Sequence, residues 1–410
     1  MRGRPNLFTS YEEEMRLFPT TTKRVMLVVA LVLAVLLPLG QLPGLRFLGD
    51  SDWLIIIDRA LIFGIAALGL NLLTGVSGQV SLGHSFFMAV GAYTAVVLGA
   101  DAGRTVWGLG LPMWIWLPAA GIVAAVLGIL VAPTAVRVRG LYLAFVTLGL
   151  VFIGLHLWRS VEAVAGKPGT GRPWPALELA LWKGDPIISF ASAGPWFGIE
   201  LSAQAKSYFF FLFLLIVFAL LAKNLMRTRP GRAWAAIRDR DIAAEVMGVN
   251  MFRWKTQAFA VSSFYAGVAG ALFAAFLGRV IPESWDLLLA VEFIAIILIG
   301  GAGTITGTLL GTVFVVLTPR IVEAVTFWMA EELANQGTFA WLADLFIRKS
   351  PDDLLGFVST DAAGPGLSIF QLNVVLFGVL IIVFLIAEPL GLYGIWIRVR
   401  NYWKGWPFTY

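Results

Sequence analysis

Ten apolar runs, most of about the length that crosses a bilayer, constrain this chain more than any other feature. They fall at 25–43, 54–74, 84–100, 112–134, 140–158, 207–223, 256–278, 288–303, 305–318 and 371–389. A helix rises about 1.5 Å per residue, so about 20 residues span a hydrocarbon core of about 30 Å. Inside that core the backbone finds no water, and repeated runs of this kind satisfy their polar groups as helices packed on one another. The composition agrees, with 59% hydrophobic and 13% charged residues against about 45–50% and about 25% in soluble domains. The expected fold class is all-α: a polytopic helical membrane protein of about ten transmembrane segments, some of them broken helices. One transmembrane domain over 25–389 is expected, with an arm at 1–24 and a tail at 390–410.

The basic residues orient it. With the amino terminus cytoplasmic, the inside segments hold 18 Lys and Arg and the outside segments 11, the bias that membrane insertion imposes. Both termini are then cytoplasmic, and the connections 159–206 and 319–370 are periplasmic. The net charge of +5 is a product of this topology and gives no nucleic-acid signal. The first long connection is rich in Gly, Pro and Trp and is expected to lie against the bilayer surface. In the second, Ile321, Ala324, Val325 and Trp328 recur at helical spacing and predict an interfacial amphipathic helix, read as a structural insertion or as a contact for an external partner. No small-x-small cleavage site follows the first apolar run, which is expected to be retained as a span.

The longest polar interruption between adjacent spans on the inside face is 223–255, where eight basic residues face three acidic ones. Within it 241–248 reads as a self-contained helix, with Asp241 as N-cap, Ile242, Val246 and Val249 at i, i+4 and i+7, and Gly248 as the stop. Small side chains at Ala243 and Ala244 admit a second surface, which is the form of a docking element; Glu245 lies beside them.

Two glycine-rich interruptions occur within the apolar runs. The first, Gly69-Leu70-Asn71-Leu72-Leu73-Thr74-Gly75-Val76-Ser77-Gly78-Gln79-Val80-Ser81-Leu82-Gly83-His84, mixes glycines with uncharged polar side chains. It reads as a broken helix lining a cavity, or as a short loop on the inner face. The second, 298–307, contains Gly300, Gly301 and Gly303. Glycine-broken segments in both halves of a chain point to a transport path between them. Asn71, Thr74, Gly75, Gly78, Gln79, Ser81, Gly83, Gly300, Gly301 and Gly303 are therefore candidate pathway residues. His84 reads as a bonded structural histidine or a relay, and Glu292 as a hydrogen-bond anchor or a pathway residue. Asp58 and Arg59 either sit near the interface or pair with neighbouring helices. Gly267, Gly270 and Gly278 read as helix-packing positions.

The absences narrow the function further. There is no cysteine, and the two histidines, His84 and His156, are far apart, so no metal site is expected. Phosphate-loop, His-Glu-x-x-His and Gly-x-Ser-x-Gly patterns are all missing, which disfavours an enzyme and an ATP site on this chain.

The stretch 69–93, continuing from His84 through Ser85-Phe86-Phe87-Met88-Ala89-Val90-Gly91-Ala92-Tyr93, resembles the signature of branched-chain amino acid ABC transporter permeases of the LivM type. Gly231-Arg232-Ala233-Trp234-Ala235-Ala236-Ile237-Arg238, continuing to Asn250, is similar to that family's ATPase-coupling loop. The surroundings of Glu292, the glycines at 300, 301 and 303, and Glu388-Pro389-Leu390-Gly391-Leu392 resemble the family too, while Thr308 stands where members commonly have proline. The resemblance implies a non-enzymatic pore subunit in the bacterial inner membrane that pairs with a homologous LivH-type permease. It further implies two cytoplasmic ATPases that hold the ATP and Mg, so that this chain needs no cofactor, and a periplasmic solute-binding protein. Asp241, Ile242, Ala243, Ala244, Glu245 and Gly248 would then be the ATPase-coupling residues. Urea, short amides or other amino acids are alternative solutes, and an ion-coupled secondary transporter is an alternative class.

Overall fold

A helix forms on every one of the ten apolar runs. The computed structural model describes residues 21–39, 49–103, 105–138, 140–167, 169–174, 177–180, 187–190, 192–196, 199–335, 346, 358–359, 367–388 and 390–405. Most of the arm at 1–24, the middle of the 319–370 connection and the end of the tail lie outside these residues.

In chain order the helices are α1 (Thr21–Leu36), α2 (Ser51–Leu70), α3 (His84–Gly99), α4 (Met113–Arg137), α5 (Leu141–Ser160), α6 (Ala203–Arg227), α7 (Arg229–Asp239) and α8 (Asp241–Val246). They continue with α9 (Met251–Leu277), α10 (Leu287–Gly300), α11 (Ile305–Ala334), α12 (Ile369–Ala387) and α13 (Gly391–Gly405). Among the described residues, six stretches are long and apolar enough to cross a membrane: Ser51–Val76, Met113–Arg137, Tyr142–Ser160, Ala203–Arg227, Met251–Leu277 and Ile305–Glu331. At 16 and 14 residues, α3 and α10 are shorter than the roughly 20 needed to span. Each abuts one of the glycine interruptions, as broken helices require.

Two expectations are corrected. Ile321, Ala324, Val325 and Trp328 belong to α11 itself, which runs without a stop through Pro319 over 30 residues; there is no separate interfacial helix at that place. At about 1.5 Å per residue it is about 45 Å long and outreaches a hydrocarbon core of about 30 Å. Gly278 does not pack a helix: it closes α9 as a left-handed C-cap at φ +67°.

The chain folds as two compact units, one of residues 1–293 with 303–305, the other of 294–302 with 306–410. The first is built on α9, whose small residues let its neighbours approach backbone to backbone. A Cβ on Gly91 of α3 would collide with the carbonyl of Gly267, and one on Gly270 with the carbonyl of Met88. From α4, Gly121 receives Phe264 and Val268, and Gly128 receives Ser263. Membrane helices gain no hydrophobic advantage over lipid and associate through this kind of close fit. The opposite face of α4 leaves Ile122, Val126 and Leu130 exposed at four-residue spacing, as a lipid-facing stripe does.

Between the connections that follow α5 and α9, Arg172–Pro173 pairs antiparallel with Arg279–Val280. In the second unit, Gly300 lies against Gly307 and Gly311, and Gly391 (φ +61°) against the carbonyl of Ile299. Ser368 and Gln371 form a reciprocal capping box at the start of α12.

Candidate coupling site

At Asn71 the second helix changes its winding. Residues Asn71–Val76 form a π-helical turn, closed by Ser77 N–H donating to the carbonyl of Leu72 at 3.1 Å. The chain then leaves the helix and re-enters one at His84. Such wide turns cluster at functional positions because they free backbone groups for other partners. The partners here come from elsewhere in the chain. Asn71 Oδ1 accepts from Gly303 N–H at 2.7 Å, and Asn71 Nδ2 donates to the carbonyl of Thr304 at 3.3 Å. The amide is buried, so both bonds form away from water. Gly75 is fixed by the same contact, since a Cβ there would strike both Asn71 Oδ1 and Gly303 N. The two glycine interruptions thus meet at Asn71, Gly75 and Gly303. Gly300 and Gly301 belong to the other unit.

The basic loop reaches this junction from its own side. In α7, Gly231, Ala233, Trp234 and Ile237 are buried, and Trp234 Nε1 donates to the carbonyl of Trp254 at 3.0 Å. That packing seats the helix so that Arg238, at its end, donates from Nη1 to the carbonyl of Gly75 inside the π-turn. Gly78, at φ +70°, lies directly beneath Arg238, where a Cβ would come within 3.1 Å of its Cγ. Lys255 is buried at the start of α9 and donates to the carbonyl of Ala135 on α4 at 3.3 Å. Arg238 and Lys255 therefore do more than orient the chain: both bind backbone carbonyls of other elements.

Beyond α7 the short α8 projects, and three details of its expected form change. It covers Asp241–Val246, with Arg240 at the N-cap position and Asp241 as its first residue. The Asp241 carboxylate accepts from the adjacent Ile242 N–H at 2.8 Å, not from the second or third turn residue as an N-cap does. Ala244 is 5% exposed and packs on its own chain, whereas Ile242, Val246 and Met247 are 65%, 81% and 84% exposed. The open face is apolar and made of large side chains, with Ala243 and Glu245 exposed beside it. Gly248 ends the element at φ +85°.

The remaining candidates brace this region. Thr74 Oγ1 donates to the carbonyl of Gln79 at 3.1 Å, Gln79 Nε2 to Ser77 Oγ at 2.7 Å, and Gly83 N–H to Ser81 Oγ at 3.3 Å. Leu82 N–H donates to Thr147 Oγ1 on α5 at 2.9 Å, and Gly83 leaves no room for a Cβ beside the Thr147 backbone. His84 is buried, bonded through Nε2 to the carbonyl of Ala66 at 2.8 Å, and set edge-on to Phe293 at 5.2 Å.

Glu292 lies apart from the junction. It pairs with Arg59, Nη2 to Oε1 at 3.3 Å and to Oε2 at 3.4 Å, while the Arg59 guanidinium covers the Phe63 ring at 4.8 Å. This geometry fits an anchor between α2 and α10. Replacing Glu292 by Gln removes the charge that Arg59 faces. Arg59 is 39% exposed on its side chain, so the loss expected in detergent-unfolding measurements is about 1–2 kcal/mol, below the roughly 3–5 kcal/mol of a fully buried broken pair. Arg59→Met with Glu292→Met is expected to restore part of it.

In the sequence Trp234 and Arg238 stand out only as members of the stretch that resembles the coupling loop, and neither they nor Met247 carry a role of their own there. The signal was present: Ala233, Trp234 and Ile237 recur at i, i+1 and i+4, an apolar stripe that seats α7 and fixes where Arg238 points.

Comparison with known proteins adds an independent line. Residues 54–385 match the family described as the branched-chain amino acid transport system permease component. The chain is 34% identical over 315 residues to the high-affinity branched-chain amino acid transport permease LivM of Escherichia coli K12, covering 74% of this chain and 69% of that one. It is 33% identical over 310 residues to LivM of Salmonella typhimurium, with the same coverage. It is also 28% identical over 289 residues to the autoinducer 2 import permease LsrC of Salmonella typhi, covering 65% of this chain and 72% of that one. No solved structure matches.

Proposed function

The chain belongs to the branched-chain amino acid transport system permease family, a multi-pass inner-membrane transport subunit of that class, and from this premise we propose how it is driven. A homologous LivH-type permease completes the pore, a periplasmic binding protein delivers the solute, and two cytoplasmic ATPases hold ATP and Mg, one of them docked on α8. The termini and the 223–255 loop face the cytoplasm in this reading. The solute is leucine, isoleucine or valine; the alternatives of urea, short amides or an ion-coupled carrier find no support among the similar proteins.

One observation carries the coupling proposal: the loop is open at its tip and bound at its base. Ile242, Val246 and Met247 stand exposed, where an ATPase groove would bury them. Trp234 and Arg238 tie the same element to Trp254 and to the broken helix at Gly75. When ATP closes the ATPase pair, α8 moves with it, and α7 passes that displacement to the π-turn and, through Asn71, to Gly303. Two discrete arrangements of this junction would open the path to alternate sides of the membrane.

The test is reconstitution of the chain with its partner permease, ATPases and binding protein in proteoliposomes. ATP-dependent uptake of labelled leucine is expected, with none when the ATPases are left out. Uptake by this chain alone under an ion gradient would overturn the reading.

A further inference from the structure

The last helix, α13, has 15 residues and not one acid among them. Ile395, Val399 and Tyr402 recur at i, i+4 and i+7, and all three are exposed, with Trp396 exposed beside them. The start of the helix is rooted in its own unit. A Cβ on Gly301 would strike the carbonyl of Leu390, and one on Gly391 the carbonyl of Ile299; Arg398 pairs with Glu388. The preceding α12 has 19 residues, about 28 Å at about 1.5 Å per residue, close to a hydrocarbon core of about 30 Å. Its side chains Val375, Val379, Ile382 and Ile386 are an exposed apolar stripe, and exposed Leu390 continues it toward α13. A chain leaving such a helix stands at a bilayer surface, and Gly391, at φ +61°, redirects it there. Arg398, Arg400, Asn401 and Lys404 crowd the second half of α13, which bars it from returning through the core.

We propose that α13 lies in the membrane interface and binds anionic phospholipid, with the side that carries Ile395, Val399 and Tyr402 sunk toward the acyl chains and its positive charge set against the phosphates. Amphipathic helices with a basic polar face bind bilayers in this way, by apolar burial and by attraction to anionic lipid together. Trp396 and Tyr402 are of the residue types that settle at headgroup level. Over 388–405 three bases stand against the single acid Glu388, a net charge of +2, and an anionic surface is its complement. A purely apolar protein groove would cover the stripe and leave that charge unmatched, whereas the bilayer already adjoins the end of α12 and supplies both parts. The inference needs the chain to be a membrane protein; it depends neither on the solute carried nor on what drives transport.

The experiment is electron paramagnetic resonance on the full chain in vesicles. The chain has no cysteine, so Val399→Cys or Asn401→Cys introduces one site for a nitroxide label. Both positions are exposed, and two residues along a helix turn it by about 200°, so the labels sit on different sides. In vesicles of equal parts phosphatidylcholine and phosphatidylglycerol, the Val399 label is expected to meet dissolved oxygen and not a water-soluble nickel chelate. Its expected depth is about 5–10 Å into the boundary between headgroups and acyl chains. The Asn401 label is expected to show the reverse preference. Each base near an anionic surface contributes about fivefold to binding. The ratio of docked to undocked Val399 label is therefore expected to fall by about fivefold or more in phosphatidylcholine alone, and likewise in the mixed vesicles when Arg400→Gln and Lys404→Gln are added. A Val399 label open to the nickel chelate in the mixed vesicles overturns the proposal. One shut off from both reagents also overturns it, because a protein surface then covers the stripe. Equal docking in both kinds of vesicle and in the neutralised variant would refute the binding of anionic lipid.

Discussion

Asn71→Leu is expected to abolish transport while the chain still inserts into the membrane. Leucine has nearly the shape of asparagine and keeps the apolar packing of the π-turn, but it neither accepts from Gly303 N–H nor donates to the carbonyl of Thr304, bonds of 2.7 and 3.3 Å. Two backbone groups lose their buried partners, at about 1–3 kcal/mol each, so the expected loss in unfolding free energy is about 2–6 kcal/mol. The functional effect is larger than the stability effect, because this amide joins the two glycine interruptions within the first unit. Without it, a displacement arriving at Gly75 through Arg238 no longer reaches Gly303. Asn71→Asp keeps an acceptor for Gly303 N–H but sets a carboxylate against the Thr304 carbonyl, and it is expected to fall near the leucine variant in uptake. Denaturant unfolding in detergent together with uptake in proteoliposomes checks both. Wild-type uptake in Asn71→Leu would remove the junction from the mechanism.

How much of this was legible beforehand depends on the range of the interaction. The apolar runs fixed where helices form, because length and hydropathy act locally and the bilayer imposes a single scale on them. The broken character of 69–84 was legible for the same reason: glycines and polar side chains at membrane depth have few other solutions. The partner of Asn71 was not, since it lies 232 residues further on at Gly303 and no local pattern announces a side chain bonding to a distant backbone. The course of α11 through Pro319 was misjudged because proline there reads as a boundary. Its ring removes one N–H, yet the long apolar helix on both sides holds the element together. The direction of α8 failed on phase. Six residues make fewer than two turns, too few for periodicity to say which face is covered, and packing put Ala244 inward and Val246 outward.

That phase decides the second large effect. Val246→Glu combined with Met247→Glu is expected to eliminate co-purification of the ATPases and, with it, ATP-driven uptake. Both side chains are more than four-fifths exposed, at 81% and 84%, so their replacement removes no contact within the chain and is expected to change its own unfolding by no more than about 0.5 kcal/mol. In a docked complex each would bury an apolar side chain, with about 1.5–3 kcal/mol of transfer free energy apiece. Losing both corresponds to about a hundredfold to ten-thousandfold in affinity at about 1.4 kcal/mol per decade, before any penalty for driving two carboxylates into an apolar groove. Ala244→Glu serves as the contrast. It places a charge at a position 5% exposed and is expected to unfold the loop itself, so it reports on the element and not on docking. Gly248→Glu is similarly mixed, because φ +85° costs a side-chain-bearing residue about 1–2 kcal/mol. Normal ATPase binding in the Val246, Met247 double variant, measured on protein with an unchanged melting curve, would mean that the ATPases grip the chain somewhere other than α8.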